Sequence, residues 1–347
     1  MTHSTIRRVA ELAGVSIATV SRTLAHPDKV TEATREKVLD AVRQTGFVPN
    51  RQAVDFRRRA TNNVVLLVRD ITNPFYLEIY RGIEELAFAN GYSVLMGDAQ
   101  YDDARVARYI DMVRNRQADG LILMTGWIPA SIPEAKLPQT VIALELIDGS
   151  VLPTVAIDNR KAARLATEHL LSLGHRRIAH ITGPIGMLMS DERHEGYLEA
   201  LRAADIAPDP ALTYLGDYHL GSGQAAIRAF EERRVGFTGL FCSNDEMAVG
   251  AINALRGLGK RVPQDVSVVG FDDMDYALSS DPPLTSVRQP RREIGRKAMQ
   301  MMVDLLAGKP LASRWFEAGV ELVVRQSTAP PNPSKTTDLP RTESTKP

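Results

Sequence analysis

Two groups of residues in this chain have the types and spacing to recognise other molecules. The first lies near the start, where Gly14 is followed by Ser16-Ile17-Ala18-Thr19-Val20-Ser21-Arg22. If Ser16 caps a helix, Val20 and Leu24 point inward at i, i+4 spacing. Ile17, Ala18, Thr19, Ser21 and Arg22 are then left on the outer part of that helix. Such a set suits base edges: Arg22 can donate two hydrogen bonds to guanine, and Ile17 and Ala18 can pack on thymine methyls. Ser16 sits where backbone N–H groups can meet a phosphate. The second group is scattered over the rest of the chain, each member just after a predicted strand or near a crossover. It comprises Phe75 and Tyr76 in Asn73-Pro74-Phe75-Tyr76, then Glu145, Arg193, Tyr218, Asn244, Asp272 and Gln289. The aromatics of the first string can cover a ring, and the polar members can gather at one rim.

The elements that must position these residues are legible in outline. Residues 5–46 read as three short helices, punctuated by Gly14 and Pro27 and ended by Gly46. Ile6, Val9, Ala10 and Ala13 fall on one helical face, and the small Ala10 lets a second helix cross closely. Residues 47–63 form a polar, basic linker containing Pro49-Asn50 and the triplet Arg57-Arg58-Arg59. From residue 64 the period changes. Strands are predicted at Val64–Val68, Tyr92–Met96, Gly120–Met124, Val141–Leu144, Arg177–Thr182, Gly239–Cys242 and Val266–Phe271. Helices are predicted between most of them, at Phe75–Asn90, Arg105–Arg116, Lys161–Leu173, Glu192–Ala204, Glu246–Leu258 and Arg292–Leu306. Alternation of this kind means right-handed βαβ units and parallel sheets, and its length calls for two Rossmann-like lobes around a cleft. Strand C-termini then lie at the cleft rim, where ligands bind in such sheets. Crossovers between lobes are expected near Asp158-Asn159, Val287-Gln289 and Glu317-Gly319.

The division of the 347 residues is therefore a helical head over 1–46, a linker over 47–63 and a body over 64–328. Lobe 1 takes about 64–158 and 288–317, and lobe 2 about 159–287 and 318–328. A tail over 329–347, rich in Pro, Ser and Thr, is expected to be disordered.

Charge supports the split. The chain holds 42 Lys/Arg and 42 Asp/Glu, yet residues 1–60 carry eleven of the former against six of the latter, leaving 31 against 36 for the remainder. A basic head on an acidic body suits contact with phosphate at one end. A plain helical hairpin with no ligand is the competing reading, because Gly-Val-Ser turns occur elsewhere. Cys242 stands alone in an apolar run, so neither a disulfide framework nor a CxxC site is available, and it reads as a small buried hydrophobe. No apolar stretch reaches membrane-spanning length and the first residues lack the apolar core of a secretory leader, so a cytoplasmic protein is expected. No enzyme signature emerges. Gly257-Leu258-Gly259 lacks the third glycine of a dinucleotide loop, Gly221-Ser222-Gly223 is no nucleophile elbow, and His169, His175, His180 and His194 have no metal-binding spacing. No cofactor and no metal are expected. An enzyme acting on sugars or nucleosides from a two-lobed scaffold remains the runner-up, and a sugar-transport protein is disfavoured by the head. Asp158 and Asp245 read as helix N-caps, and Met299, Met301 and Met302 as core or interface filler.

The string Ala10 through Arg22, the Pro49-Asn50 linker and the α/β body resemble the LacI/GalR family of repressors over nearly the whole chain. Pro27-Asp28-Lys29-Val30, Pro153-Thr154-Val155, Gly270-Phe271-Asp272, Asp281-Pro282-Pro283-Leu284-Thr285, Gln289-Pro290-Arg291 and Glu293-Ile294-Gly295-Arg296 look most like its cytidine-responsive branch. The resemblance implies an all-α helix-turn-helix head on a periplasmic-binding-protein-like body. It implies a homodimer on a pseudo-palindromic operator of double-stranded DNA, with affinity set by a small effector, a nucleoside or a pentose. The DNA-facing set is completed by Thr5 and, in the linker, Asn50, Ala53 and Phe56. Two departures stand out: Arg8 replaces the family's usual Asp, and Phe56 occupies the place of the leucine that wedges into the minor groove, with Val54 two residues before it. Phe56 reads equally as a wedge and as a dimer contact. The body strings Asn73-Pro74-Phe75-Tyr76, Asn244-Asp245-Glu246-Met247-Ala248 and Gly270-Phe271-Asp272 also resemble ribose-binding periplasmic proteins. By that resemblance Phe75 and Tyr218 stack on a sugar, and Glu145, Arg193, Asn244, Asp272 and Gln289 bond its hydroxyls. A site of the purine-repressor type is disfavoured, because Met187 and Met189 stand where that relative has polar residues.

Overall fold

The computed structural model describes residues 5–47 and 60–333. Contacts divide the chain into two units, split after Thr61. In the first, α1 (Ile6–Ala13), α2 (Ile17–Ala25) and α3 (Glu32–Thr45) bury Val9, Ala10, Ala13, Val20, Val38 and Ala41 against one another. Gly14 ends α1 with φ of 65°, in the left-handed region where a side chain would be strained. Gly46 closes α3 in the same way, with φ of 62°. The linker residues Pro49, Asn50, Ala53, Val54, Phe56, Arg57, Arg58 and Arg59 lie outside the described residues.

In the second unit, β1 (Asn63–Val68), β2 (Ser93–Asp98), β3 (Gly120–Met124), β4 (Thr140–Ala143), β5 (Thr154–Ala156) and β11 (Trp315–Glu317) form one six-stranded sheet. Its order is β11-β5-β4-β3-β1-β2, and every pairing is parallel. A second six-stranded sheet runs β12-β10-β9-β8-β6-β7. It is built from β6 (Ile178–Thr182), β7 (Thr213–Leu215), β8 (Gly239–Cys242), β9 (Ser267–Asp272), β10 (Thr285–Arg288) and β12 (Glu321–Val323). Here only the β10–β12 pairing is antiparallel. Central strands covered on both faces must be apolar throughout, and Val64 to Val68 are all fully buried.

The body helices are α4 (Phe75–Ala89), α5 (Asp103–Arg114), α6 (Asn159–Ser172), α7 (Leu188–Ala203), α8 (Leu220–Glu232), α9 (Asp245–Gly257), α10 (Asp275–Ser279) and α11 (Arg291–Leu306). Three pairs, α4 with α11, α6 with α7 and α8 with α9, pack closely. Glycine permits the approach. A Cβ at Gly82 would lie 2.1 Å from the Arg292 carbonyl oxygen, one at Gly196 2.1 Å from that of Arg160, and one at Gly223 2.0 Å from that of Met247.

The chain passes between the sheets three times: after β5, after β10 and between β11 and β12. Two sequence readings need correction. Asn244, not Asp245, caps α9, accepting from the Met247 amide; Asp245 is wholly buried and accepts from the Met274 amide and the Ser286 hydroxyl. The body also continues past residue 328: the Ala329 amide donates to Ser267 Oγ, and its carbonyl accepts from Ser267 and meets His175 Nε2. Residues 334–347 lie outside those described.

Candidate functional site: a two-lobe cleft and a recognition helix

Each strand of a parallel sheet ends on the same side, and here those ends supply the walls of one cleft. Arg69 follows β1, Glu145 follows β4, Asn159 follows β5, Tyr218 follows β7, Asn244 follows β8, Asp272 ends β9 and Gln289 follows β10. Phe75 and Tyr76 open α4, and Arg193 projects from α7. All eight body residues singled out in the sequence therefore line the same cleft, which holds about 620 Å³ of empty space including the part open to solvent. A lining of aromatic walls with a few convergent polar groups suits a small organic ligand.

The backbone around the cleft is strained at several of these positions. Leu144, Tyr218, Asp272 and Asp273 have φ of 60°, 71°, 107° and 51°, values non-glycine residues seldom adopt. Such strain gathers where a fold aims side chains at a ligand, because the surrounding packing must hold it in place.

The second lobe contributes a polar floor. Arg193 is buried, with its guanidinium carbon 3.7 Å above the centre of the Phe271 ring. Its Nε donates to Asn159 Oδ1 at 2.9 Å and its Nη1 to the Ser243 carbonyl at 2.7 Å. Gln289 Nε2 donates to Asp272 Oδ1 at 2.7 Å, while its buried Oε1 has no partner. A buried acceptor left open costs stability unless a donor arrives. Burial pushes the Asp272 carboxyl up to about 6, against the opposing pull of Arg193 and Arg291. Asn244 is largely committed to the protein, its Oδ1 to the helix cap and its Nδ2 to the Tyr218 carbonyl at 2.8 Å. One amide hydrogen remains for a ligand.

Aromatic groups form the walls. Phe75 and Tyr76 meet edge to face with centroids 5.5 Å apart. The Tyr218 hydroxyl pairs with Ser190 Oγ at 2.7 Å, and its ring needs Gly183, where a Cβ would lie 2.2 Å away. On the first lobe Arg69 and Glu145 form a buried ion pair, Nη2 to Oε2, at 2.5 Å. Arg69, Tyr101 and Asn159 also line the cleft and were missed in the sequence. Arg69 could have been found by the signal that found the others, since it directly follows a predicted strand.

In the head, the Ser16 hydroxyl accepts from the Thr19 amide at 3.1 Å and so caps α2. Ile17, Ala18 and Arg22 are exposed, Thr19 and Ser21 half-buried, and Val20 wholly buried. Thr5 is exposed immediately before α1. Arg8 pairs with Glu11 at 3.2 Å on the surface.

This combination has known counterparts. Residues 5–50 match bacterial regulatory proteins of the lacI family, and residues 167–328 match a periplasmic binding protein-like domain. The HTH-type transcriptional repressor CytR of Escherichia coli (strain K12) is 40% identical over 330 residues, covering 94% of this chain and 97% of that protein. The chain belongs to the LacI family. The ribose operon repressor of Halalkalibacterium halodurans is 34% identical over 325 residues, covering 94% of this chain and 97% of its own length. Among solved structures, the lac repressor dimer bound to operator and the anti-inducer ONPF superimposes with a TM-score of 0.82 at 27% identity, covering 94% and 99% of the two chains. A CelR–cellobiose complex does so with a TM-score of 0.72 at 34% identity, covering 93% and 99%. As a LacI-family member the protein is a DNA-binding transcriptional repressor with a helix-turn-helix head and a two-lobed α/β body. Among the described residues no helix is long and apolar enough to cross a membrane.

Proposed function

We propose that this repressor is a cytoplasmic homodimer whose operator affinity is set by a nucleoside held in the cleft between its lobes. The observation that carries the reading is the convergence of eight separately placed side chains, Phe75, Tyr76, Glu145, Arg193, Tyr218, Asn244, Asp272 and Gln289, on one cleft. The open Gln289 Oε1, the Asp272 carboxylate and the Arg193 charge suit the vicinal hydroxyls of a ribose, and Phe75 and Tyr218 suit its apolar edges. The likeness to CytR supports a nucleoside. A free pentose is the second reading, because the polar floor needs no base and a ribose operon repressor is also similar.

On the DNA side, Thr5, Ser16, Ile17, Ala18, Thr19, Ser21 and Arg22 face the operator in this reading, with Asn50, Ala53 and Phe56 acting from the linker. A ligand that bridges Glu145 on one lobe and Asp272 on the other favours one angle between them, and that preference is what DNA affinity senses. One head reads only a few base pairs, so two act together on a pseudo-palindrome.

A thermal-shift screen of the full chain against nucleosides, nucleobases, pentoses and disaccharides tests the effector. A nucleoside that raises the melting temperature and also changes operator affinity is expected. A response to ribose equal to that of every nucleoside would move the assignment to the pentose, and a response to disaccharides alone would overturn both.

A further inference from the structure

The strand β7 ends the second sheet, and among the described residues no strand pairs with its outer side. The Gly216 amide donates to the Thr182 carbonyl at 3.1 Å, so alternation turns the backbone of Tyr214 and Gly216 toward β6 and that of Thr213 and Leu215 outward. The Thr213 amide is spent on the Pro210 carbonyl. One donor, the Leu215 amide, and two acceptors, the Thr213 and Leu215 carbonyls, remain in a row along the edge. Side chains alternate as well. The Tyr214 ring packs on Phe230 of α8 with centroids 6.2 Å apart, whereas Thr213 and Leu215 face α7. Between them and α7 runs a groove of about 1060 Å³, including the part open to solvent, with apolar walls from Ile185, Leu198, Pro208, Pro210 and Leu215. Ile185 and Leu215 are 79% and 52% exposed, which marks an apolar surface awaiting cover. The groove shares no lining residue with the cleft between the lobes. Its charge is one-sided. Asp191 and Asp209 line it and no Lys or Arg does. Asp209 is paired with Arg177 at 3.4 Å, whereas Asp191 is exposed and has no cation within ion-pair distance among the described residues.

We infer that this edge docks an extended segment of another protein, one with aliphatic side chains at alternate positions followed by a Lys or Arg. Main-chain bonds to Thr213 and Leu215 add the segment to the sheet, the groove takes its alternate aliphatic side chains, and Asp191 takes the cation. The added strand is short, because Pro208 and Pro210 stop the edge from extending before Thr213. A second copy of this chain is a poor occupant. Two β7 edges paired about a twofold would join two acidic grooves with no cation in either to offset them.

The probe is the end-blocked peptide Thr-Leu-Thr-Leu-Thr-Lys-Thr, titrated calorimetrically into the full chain. Beside it run a version with Glu for Lys and a version with every backbone amide methylated. The Lys peptide should bind about fivefold more tightly than the Glu peptide, the effect of exchanging one exposed attraction for one exposed repulsion. The methylated peptide, which cannot donate to the Thr213 and Leu215 carbonyls, should lose at least about tenfold. Amide hydrogen exchange at Leu215 should slow when the Lys peptide binds. Asp191→Lys should reverse the preference, so that the Glu peptide binds more tightly. Should that variant fail to fold, the three peptides on the unaltered chain decide alone. No binding of the Lys peptide at millimolar concentration, equal affinity for all three, or binding that leaves Leu215 exchange unchanged would overturn strand addition at β7. Self-association of the chain without peptide that Leu215→Lys abolishes would hand the edge to a second copy and overturn the proposal too.

Discussion

Gly250 lies in the middle of α9, and a methyl group there is expected to do damage out of proportion to its size. Its Cβ would stand 2.1 Å from the Leu220 carbonyl oxygen and 3.0 Å from the carbonyl carbon, both backbone atoms that cannot rotate aside. Ordinary contact begins at 3.4 Å, so α8 and α9 must part by about 1.3 Å. Overpacking of this kind costs about 1–3 kcal/mol or more, against which alanine returns at most about 1 kcal/mol in helix propensity. Gly250→Ala should therefore destabilise the body by about 2 kcal/mol, a fall of roughly 4–8 °C in Tm. Because Asn244, which caps α9, also holds the Tyr218 carbonyl, effector affinity should fall with it. Gly257, at the end of the same helix, has nothing within 4 Å of its added Cβ. Gly257→Ala should be neutral or stabilise by up to about 1 kcal/mol. Urea denaturation of the two variants beside the parent measures the contrast. Equal effects of the two substitutions, or a Gly250→Ala protein as stable as the parent, would refute the claim that backbone contact sets the helix spacing.

Two further outcomes are expected. Arg22 is exposed on α2, and Arg22→Ala should cost about 1–3 kcal/mol per half-site and relax base preference there; a uniform loss across all sequences, measured by fluorescence anisotropy, would make it a phosphate contact instead. The Asp272 carboxyl titrates near 6 in the folded protein against an ordinary value of 3.8, so between those values the native state holds more protons than the unfolded chain. Stability should then fall as pH rises from about 4 to about 6, by about 3 kcal/mol in total from this group, and Asp272→Asn should flatten that slope in denaturation curves. An unchanged slope in the variant would place the titration elsewhere.

The cleft was readable in the sequence because strand C-termini are marked by polar residues following apolar runs, as at Glu145 after Val141–Leu144 or Asn244 after Gly239–Cys242. The strand β8 has the boundaries expected from its apolar run, as does β3. The strands β5, β10, β11 and β12 escaped because three or four residues carry too little periodicity to register. The helix α8 escaped for a different reason: Gly221 and Gly223 near its start lower its helical propensity, and Gly223 is there because α9 comes closest at that point. Arg69 carries the same post-strand signal, but an arginine there reads as a solvated charge until its partner is known, here Glu145 at a separation of 76 residues. Asp245 was misread because it adjoins the true cap, and its own partner Ser286 is 41 residues away.

The glycine contacts have a mechanical consequence. Helices seated directly on the backbone of their neighbours, as at Gly82, Gly196 and Gly223, leave no side-chain layer that can shear. Each lobe is therefore a stiff block, and compliance is confined to the three segments that join them. Those segments lie side by side, because β5 is paired with β11 in one sheet and β10 with β12 in the other. Three adjacent straps flex readily about the line they share and resist twisting out of it. In the reading proposed above, such a body would act as a joint with a single soft direction, and ligands of different shape would differ in how far they swing it but not in which way.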